Sequence, residues 1–172
     1  MLGVKFRLKE SRVAETVKPG ISPLILVKEL AEEKAMAVAK GLKDEVVIGA
    51  DTLVIVGNKI LGKPKSLKEA EKMLKMLSGK KHKVVTAYTI FDAKTKRKFS
   101  RAVKTEVIFR KLTAQEIKKY AKKESMGKCG GYGLQGLGSL LVKEIKGDYY
   151  NVIGLPINNI FEDLKKFDVK IF

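Results

Sequence analysis

One carboxylate stands out as a group that could do chemistry. In Val47-Ile48-Gly49-Ala50-Asp51-Thr52 a short β-branched run leads straight to an aspartate on a glycine-flanked corner. Strand-based scaffolds present reactive groups to ligands at such places. The apolar residues 53–56, the pair Gly57-Asn58 and residues 59–61 come next. Two β-prone runs joined by a glycine-containing pair read as a hairpin. Gly62-Lys63-Pro64 closes it, so Asp51 is expected at the hairpin root with Lys63 returning beside it. A carboxylate and a lysine placed this way could handle a metal-bound phosphate.

The second chemical feature is the glycine density from 127 to 138. Glycines let a backbone approach a ligand closely and turn N–H groups toward phosphate. Gln135, held inside that stretch, could pair with the edge of a base. The competing reading is a plain tight turn with a surface glutamine. Gly131-Tyr132-Gly133-Leu134-Gln135-Gly136 also matches the dinucleotide fingerprint, which needs a strand before it and a helix after it. The residues that follow, 139–145, read as a strand, which argues against that fingerprint. No P-loop and no Gly-x-Ser-x-Gly elbow occurs, and a Cys–His pair would rest on Cys129 and His82 alone.

These residues need elements to hold them. Ser22-Pro23 opens a helix to about residue 40, closed by Gly41, with Ile25, Leu30, Ala31 and Val38 inward and Lys34 in its middle. Residues 46–48 form the strand into Asp51. Ser66-Leu67-Lys68-Glu69 reads as a capping box for a helix that buries Leu67, Ala70, Met73, Leu74 and Leu77 and stops at Gly79. Residues 82–91 and 102–109 read as strands around a charged turn. Thr113-Ala114-Gln115-Glu116 caps a basic helix through residue 123. Residues 140–145 and 150–153 read as strands around Gly147-Asp148, and Asn158 or Asn159 as the cap of a last helix through residue 166. This order of strands and helices predicts an α/β fold with a mixed sheet.

Bulk properties narrow the class. The chain has 172 residues, most simply one domain with a real core. No apolar run approaches the roughly 20 residues that span a bilayer. One cysteine excludes an intrachain disulfide and points to a reducing, cytoplasmic setting. One histidine leaves no His-rich zinc or iron site, so any metal would be hard and oxygen-bound, such as magnesium or manganese. The net charge of +17 attracts polyanions, or else reflects a solvated, salt-bridged lysine surface. Only five of the 36 basic residues are arginine, the side chain suited to planar readout of bases and phosphates. That argues against a dedicated nucleic-acid binder and leaves a basic, non-catalytic nucleic-acid- or nucleotide-binding regulator as the second reading.

Singly, each candidate has a plainer reading. Asp51 could cap a turn, Lys34 and Lys63 could be surface lysines, and Glu15 a loop acid. His82 reads as a partly buried, hydrogen-bonded residue at a strand start.

Together the pieces resemble the Maf family of nucleoside triphosphate pyrophosphatases. The matching segments are Ala31-Glu32-Glu33-Lys34-Ala35, Ile48-Gly49-Ala50-Asp51-Thr52, Leu61-Gly62-Lys63-Pro64 and Met76-Leu77-Ser78-Gly79-Lys80-Lys81-His82, followed by the glycine-rich stretch 130–136 and the segment 147–156. They occur in the family's order and close to its spacing. The resemblance implies an elongated α/β fold with flanking helices and two lobes around a cleft, often as a homodimer. It implies cleavage of a nucleoside triphosphate to the monophosphate and pyrophosphate with a divalent cation (magnesium, manganese or cobalt). Asp51 matches the family's catalytic aspartate. Lys34 and Lys63 match lysines that face the phosphates. Thr52 and Gln135 match positions tied to substrate choice, and their types resemble the branch acting on dTTP and UTP. Glu15 falls where the family carries an acid near the metal, beside Asp51. The family's opening strand and loop, resembling Leu-Ala-Ser-x-Ser-Pro-Arg-Arg, precedes the point where this chain begins at Leu2-Gly3-Val4-Lys5-Phe6. The expectation is therefore a single Maf-like domain over 1–172, N-terminally truncated relative to the family.

Overall fold

The computed structural model describes residues 4–14 and 20–171. Helix α1 (Pro23–Ala39) starts with Pro23 at its first turn, where the missing N–H costs nothing. Ser22 holds the N-cap position, but its side chain makes no capping hydrogen bond. The helix buries Leu26, Val27, Leu30, Ala31, Ala35 and Ala39. Leu30 and Ala31 face inward as expected and Val38 packs partly, whereas Ile25 is 53% exposed. Helical periodicity explains the correction: positions four before Leu30 and Ala31 share their face, and Ile25 lies just off it.

Strand β1 (Val46–Val56) and strand β2 (Lys59–Leu61) form the expected hairpin, antiparallel with Val56 opposite Lys59 and Val54 opposite Leu61. However, β1 runs unbroken through Asp51, which was expected on a corner after a strand ending at residue 48. Gly57, at φ 55°, supplies the left-handed turn residue. Helix α2 (Leu67–Leu77) is capped by Ser66 Oγ, which accepts from the Glu69 backbone N–H. The reciprocal half of that box is absent, because Glu69 Oε2 accepts from the Lys65 N–H instead. Ala70, Met73, Leu74 and Leu77 are buried, and Leu67, at the helix start, is exposed.

Strands β3 (Lys81–Asp92) and β4 (Lys98–Phe109) flank a turn in which Asp92 Oδ1 accepts from the Lys94 N–H. Helix α3 (Ala114–Glu124) carries a complete capping box between Thr113 and Glu116. Glu116 is pulled down to about 2 by the hydrogen bond from Arg110, with the Thr113 backbone and side chain adding to it. Strand β5 (Val142–Lys146) pairs antiparallel with β4. It starts later than expected, since Gly136–Leu141 is a short 3-10 segment.

The segment after β5 departs from expectation. Residues 150–153 were expected as a strand, but Tyr149–Val152 forms a helical turn, α4. Asp148 decides it: its Oδ1 accepts from the Tyr150 N–H at 2.7 Å and caps the turn, which outweighs the β-preference of the residues inside. Helix α5 (Ile157–Leu164) begins directly after Pro156, so Asn158 and Asn159 lie inside it rather than capping it.

The sheet order is β2-β1-β3-β4-β5. The α/β expectation holds. The pairings of β1 with β2 and β4 with β5 are antiparallel, where a mixed sheet was expected. Short turns rather than helical crossovers join β1 to β2 and β3 to β4, and such turns reverse the chain.

The chain forms two compact units. The first comprises Met1–Asp51, Ala87–Ala102 and Ile157–Phe172. Its core groups Ala35, Ala39, Val47, Phe91 and Ala93. A buried polar knot ties α5 in place: Tyr88 donates to Asp163 Oδ2 at 2.5 Å, and Arg101 and Lys166 each donate to Asp163 Oδ1 at 2.8 Å. Burial pushes the Asp163 carboxyl up, but the bonds from Lys166 and Tyr88 and the Arg101 charge outweigh it, so it ends below the usual range. The second unit comprises Thr52–Thr86 and Val103–Pro156. Its larger core includes Leu74, Leu77, Val84, Val107 and Phe109, with Tyr120 and Tyr132 from later in the chain.

Candidate functional site

In the first unit, backbone contact brings a charge pair together. Gly49 on β1 lies so close to α1 that a Cβ there would sit 2.4 Å from the Ala35 N and 2.5 Å from the Ala31 O. Only glycine on the strand, facing alanines on the helix, allows that approach. Lys34, beside Ala35, thereby reaches the strand and donates from Nζ to Asp51 Oδ1 at 2.5 Å. Asp51 is only 8% exposed and Lys34 is half-buried. A buried carboxylate with an ammonium partner can hold its charge, bind a cation or accept a proton from water.

In the second unit, one framework carries Thr52, Lys63 and Gln135. Lys63 is exposed just past the hairpin, at the Gly62-Lys63-Pro64 corner. The Gly130 N–H donates to the Gly62 carbonyl at 2.9 Å, which fastens the glycine-rich loop to that corner. Cys129 Sγ donates to the Thr52 carbonyl at 3.0 Å and fastens the same loop to β1. Inside the loop the chain folds back on itself: a Cβ on Gly138 would lie 1.6 Å from the Gly133 O. The Gly133 N–H donates to Tyr120 Oη at 3.1 Å. Gln135 is thus exposed on a loop whose backbone is fixed at several points. A 3-10 segment and then β5 follow the loop, so the dinucleotide fingerprint lacks its α-helix.

Aromatic packing anchors the loop further. Tyr132 lies edge-on to Phe109 and to His82, with ring centroids 4.7 Å and 5.4 Å apart. His82 Nε2 and Tyr132 Oη are 2.7 Å apart. This is the hydrogen-bonded role expected of His82, although at 2% exposure it is fully rather than partly buried. Burial pushes its imidazole down to about 4, opposed only in part by the Lys80 backbone. Burial likewise raises the Tyr132 phenol well above its ordinary value.

Thr52 belongs to a polar network that the sequence did not disclose. Its Oγ1 lies 2.9 Å from Thr86 Oγ1. Thr86 in turn donates from Oγ1 to the Asn151 carbonyl at 2.8 Å. The Asn151 side chain accepts from the Thr86 N–H and donates to the Val84 carbonyl and to Thr105 Oγ1. Thr86, Thr105 and Asn151 are fully buried. The signal that could have found Asn151 was its place next to the Asp148 cap; reading residues 150–153 as a strand hid it.

Glu15, expected near a metal with Asp51, lies outside the described residues. Among the described residues, no group of three or more His, Cys, Asp or Glu side chains could hold a metal ion. A hard cation of the magnesium type commonly takes one or two carboxylates and completes its shell with substrate phosphates and water. Asp51 meets that need with a single oxygen-donor side chain, so the residues present fit a cation shared with a phosphate substrate. No described helix is long and apolar enough to cross a membrane.

The antiparallel sheet with its flanking helices, and a buried carboxylate on β1 paired with a half-buried lysine of α1, define an α/β protein of the kind its motifs resemble. The chain belongs to the Maf family, whose model, described as Maf-like protein, matches residues 1–167. It is 45% identical over 173 residues to a protein of Bacillus anthracis (strain CDC 684 / NRRL 3495), covering 99% of this chain and 89% of that one. A Bacillus cereus protein (strain ATCC 10987 / NRS 248) is also 45% identical over 99% of this chain and 84% of its own length. A Clostridioides difficile protein (strain 630) is 44% identical over 98% of this chain and 88% of its own. All three relatives are named dTTP/UTP pyrophosphatase.

Proposed function

We propose that this chain is a nucleoside triphosphate pyrophosphatase that hydrolyses dTTP and UTP. Water attacks the α-phosphorus, the bond from that phosphorus to the α–β bridging oxygen breaks, and monophosphate and pyrophosphate result. Asp51 orients the water and takes its proton, which then passes to solvent. Lys34 holds the Asp51 carboxylate in place through its 2.5 Å hydrogen bond. Lys34 and Lys63 counter charge that builds on the phosphate oxygens. Thr52, the next residue on β1 after Asp51, and Gln135 read the base. A magnesium, manganese or cobalt ion held by Asp51 with the substrate's own phosphates would neutralise the triphosphate and polarise it.

The observation that carries this reading is the buried Asp51 of strand β1 paired with Lys34 of helix α1 in a Maf-family chain. The same reading includes one functional domain over 1–172, a homodimer and a cytoplasmic location. Light scattering tests the dimer. The activity is tested by a panel of nucleoside triphosphates with magnesium, manganese or cobalt, scored for pyrophosphate. Release from dTTP and UTP above other nucleotides is the expected result. Steeply salt-dependent binding of nucleic acid without pyrophosphate release would favour the regulatory alternative instead, for which the charge of +17 speaks.

A further inference from the structure

The hydrogen-bond network behind Thr52 has a direction. A carbonyl oxygen has no proton, so the 2.8 Å contact between Thr86 Oγ1 and the Asn151 carbonyl requires the proton of Thr86. That hydroxyl has only one. The 2.9 Å contact between Thr52 and Thr86 therefore uses the proton of Thr52. What the Thr52 hydroxyl has left to offer a ligand is lone pairs alone.

The rest of the network keeps this direction from reversing. The Asn151 amide cannot flip, because its oxygen faces the Thr86 N–H at 3.2 Å and its nitrogen the Val84 carbonyl at 3.1 Å. Its second N–H donates to Thr105 Oγ1 at 2.9 Å, and Thr105 spends its own proton on the Asp148 carbonyl at 3.0 Å. The Asp148 N–H donates back to Thr105 Oγ1 at 3.1 Å. Each of these buried polar atoms has its partner, and a fully satisfied buried network is rigid. Thr52, at its edge, is half-buried where Thr86, Thr105 and Asn151 are fully buried.

We propose that Thr86 and Asn151 are positioning residues that fix the Thr52 hydroxyl as a hydrogen-bond acceptor, so that it selects a base carrying an N–H donor. Uracil and thymine carry such a donor, the imide N3–H, on their pairing edge. Cytosine presents a bare N3 lone pair there, which a locked acceptor repels. The inference rests on the proposed role of Thr52 in reading the base, and it adds how one hydroxyl tells two pyrimidines apart.

The test compares the unaltered protein with Thr86→Val and Thr86→Ser. Valine keeps the shape of threonine but frees the Thr52 proton to turn toward a ligand; serine keeps the hydroxyl. Two readouts are taken with magnesium: kcat/KM for UTP and CTP, and calorimetric affinity for the α,β-methylene analogues of both. The unaltered protein should favour the uracil ligand by roughly tenfold or more, the scale of one lost or mismatched polar contact. Thr86→Val should bring that ratio toward one, chiefly through a lower KM and tighter binding for the cytosine ligand. Thr86→Ser should restore it. A ratio unchanged in a folded Thr86→Val, or not restored in a folded Thr86→Ser, overturns the assignment while leaving the hydrolase reading intact. Uracil-selective analogue binding without any turnover, abolished by Thr86→Val, supports the assignment and refutes the hydrolase reading. Should Thr86→Val not fold, Thr52→Val leaves the buried network in place and removes the acceptor; selectivity that survives it overturns the proposal.

Discussion

Lys34 Nζ lies 2.5 Å from Asp51 Oδ1, a helix ammonium laid onto a buried strand carboxylate. Asp51→Asn keeps a side-chain oxygen that can still accept from Lys34, so the pair loses its charge but not its geometry. Loss of a positioned general base costs roughly 10²–10⁴-fold in rate. We expect kcat for dTTP and UTP to fall on that scale, with a far-ultraviolet spectrum like that of the unaltered protein. Lys34→Met is expected to be worse for stability than Asp51→Asn, because it leaves the Asp51 charge buried without this partner. Thermal denaturation of the two variants side by side decides it; near-full turnover by Asp51→Asn would remove the aspartate from the mechanism.

The same pair depends on a residue with no chemistry of its own. A Cβ at Gly49 would fall 2.8 Å or less from three backbone atoms of Ala31 and Ala35. Backbone cannot yield as a flexible side chain can, so Gly49→Ala must push α1 away from β1. Overpacking of this kind costs roughly 1–3 kcal/mol and sometimes more. It should also draw Lys34 away from Asp51 and lower kcat. The neighbouring Ile48→Ala, at a position 40% exposed, should change both little. Equal melting temperatures for Gly49→Ala and Ile48→Ala would contradict the close packing.

Local signals made much of this fold legible. The hairpin at Gly57-Asn58, the Thr113 capping box and the Pro23 helix start are decided by residues close in sequence, and each formed as read. Asp51 and Lys34 were legible as separate candidates. Their contact depends on how Gly49 meets Ala31 and Ala35, a tertiary approach that no local pattern encodes. Residues 150–153 misled because aromatic and β-branched side chains suit a strand, whereas one Asp148 hydrogen bond set a helical turn. Thr86 and Asn151 were invisible for a related reason. Their partners lie 65 residues apart in the chain, and nothing in a run of strand residues distinguishes a threonine that directs a proton from one that fills space.

His82 gives the protein a pH dependence whose sign follows from its burial. Its imidazole titrates at about 4 in the folded chain against an ordinary value of 6.5. Above the ordinary value both folded and unfolded forms are neutral, and the group has no effect. As pH falls from about 6.5 toward 4, the unfolded chain takes up the proton and the folded one does not, so stability is lost across that window. The full effect is on the order of 3 kcal/mol. His82→Gln removes the titration and retains a polar partner for Tyr132. The melting temperature of the unaltered protein should therefore fall more steeply over this window than that of His82→Gln. Parallel curves would show that the imidazole is not held neutral.

Gly138 tests whether the loop around Gln135 works as a built surface or as a passive turn. A Cβ there would occupy the space of the Gly133 carbonyl, 1.6 Å away, and would crowd Tyr120 Oη at 2.9 Å. Gly138→Ala must therefore reopen the fold-back and release the bond from the Gly133 N–H to Tyr120. The loop's attachments at Gly130 and Cys129 lie on the other side of Tyr132 and should survive. If Gln135 reads the base, its displacement weakens binding while Asp51 on β1 keeps its chemistry. KM for UTP and dTTP should then rise about tenfold, the scale of one polar contact to a base, with kcat changed much less. Gln135→Ala should reproduce that pattern, and the double variant should be no worse than either alone, since both remove the same contact. A Gly138→Ala protein that folds and keeps its KM would assign base recognition elsewhere on the chain.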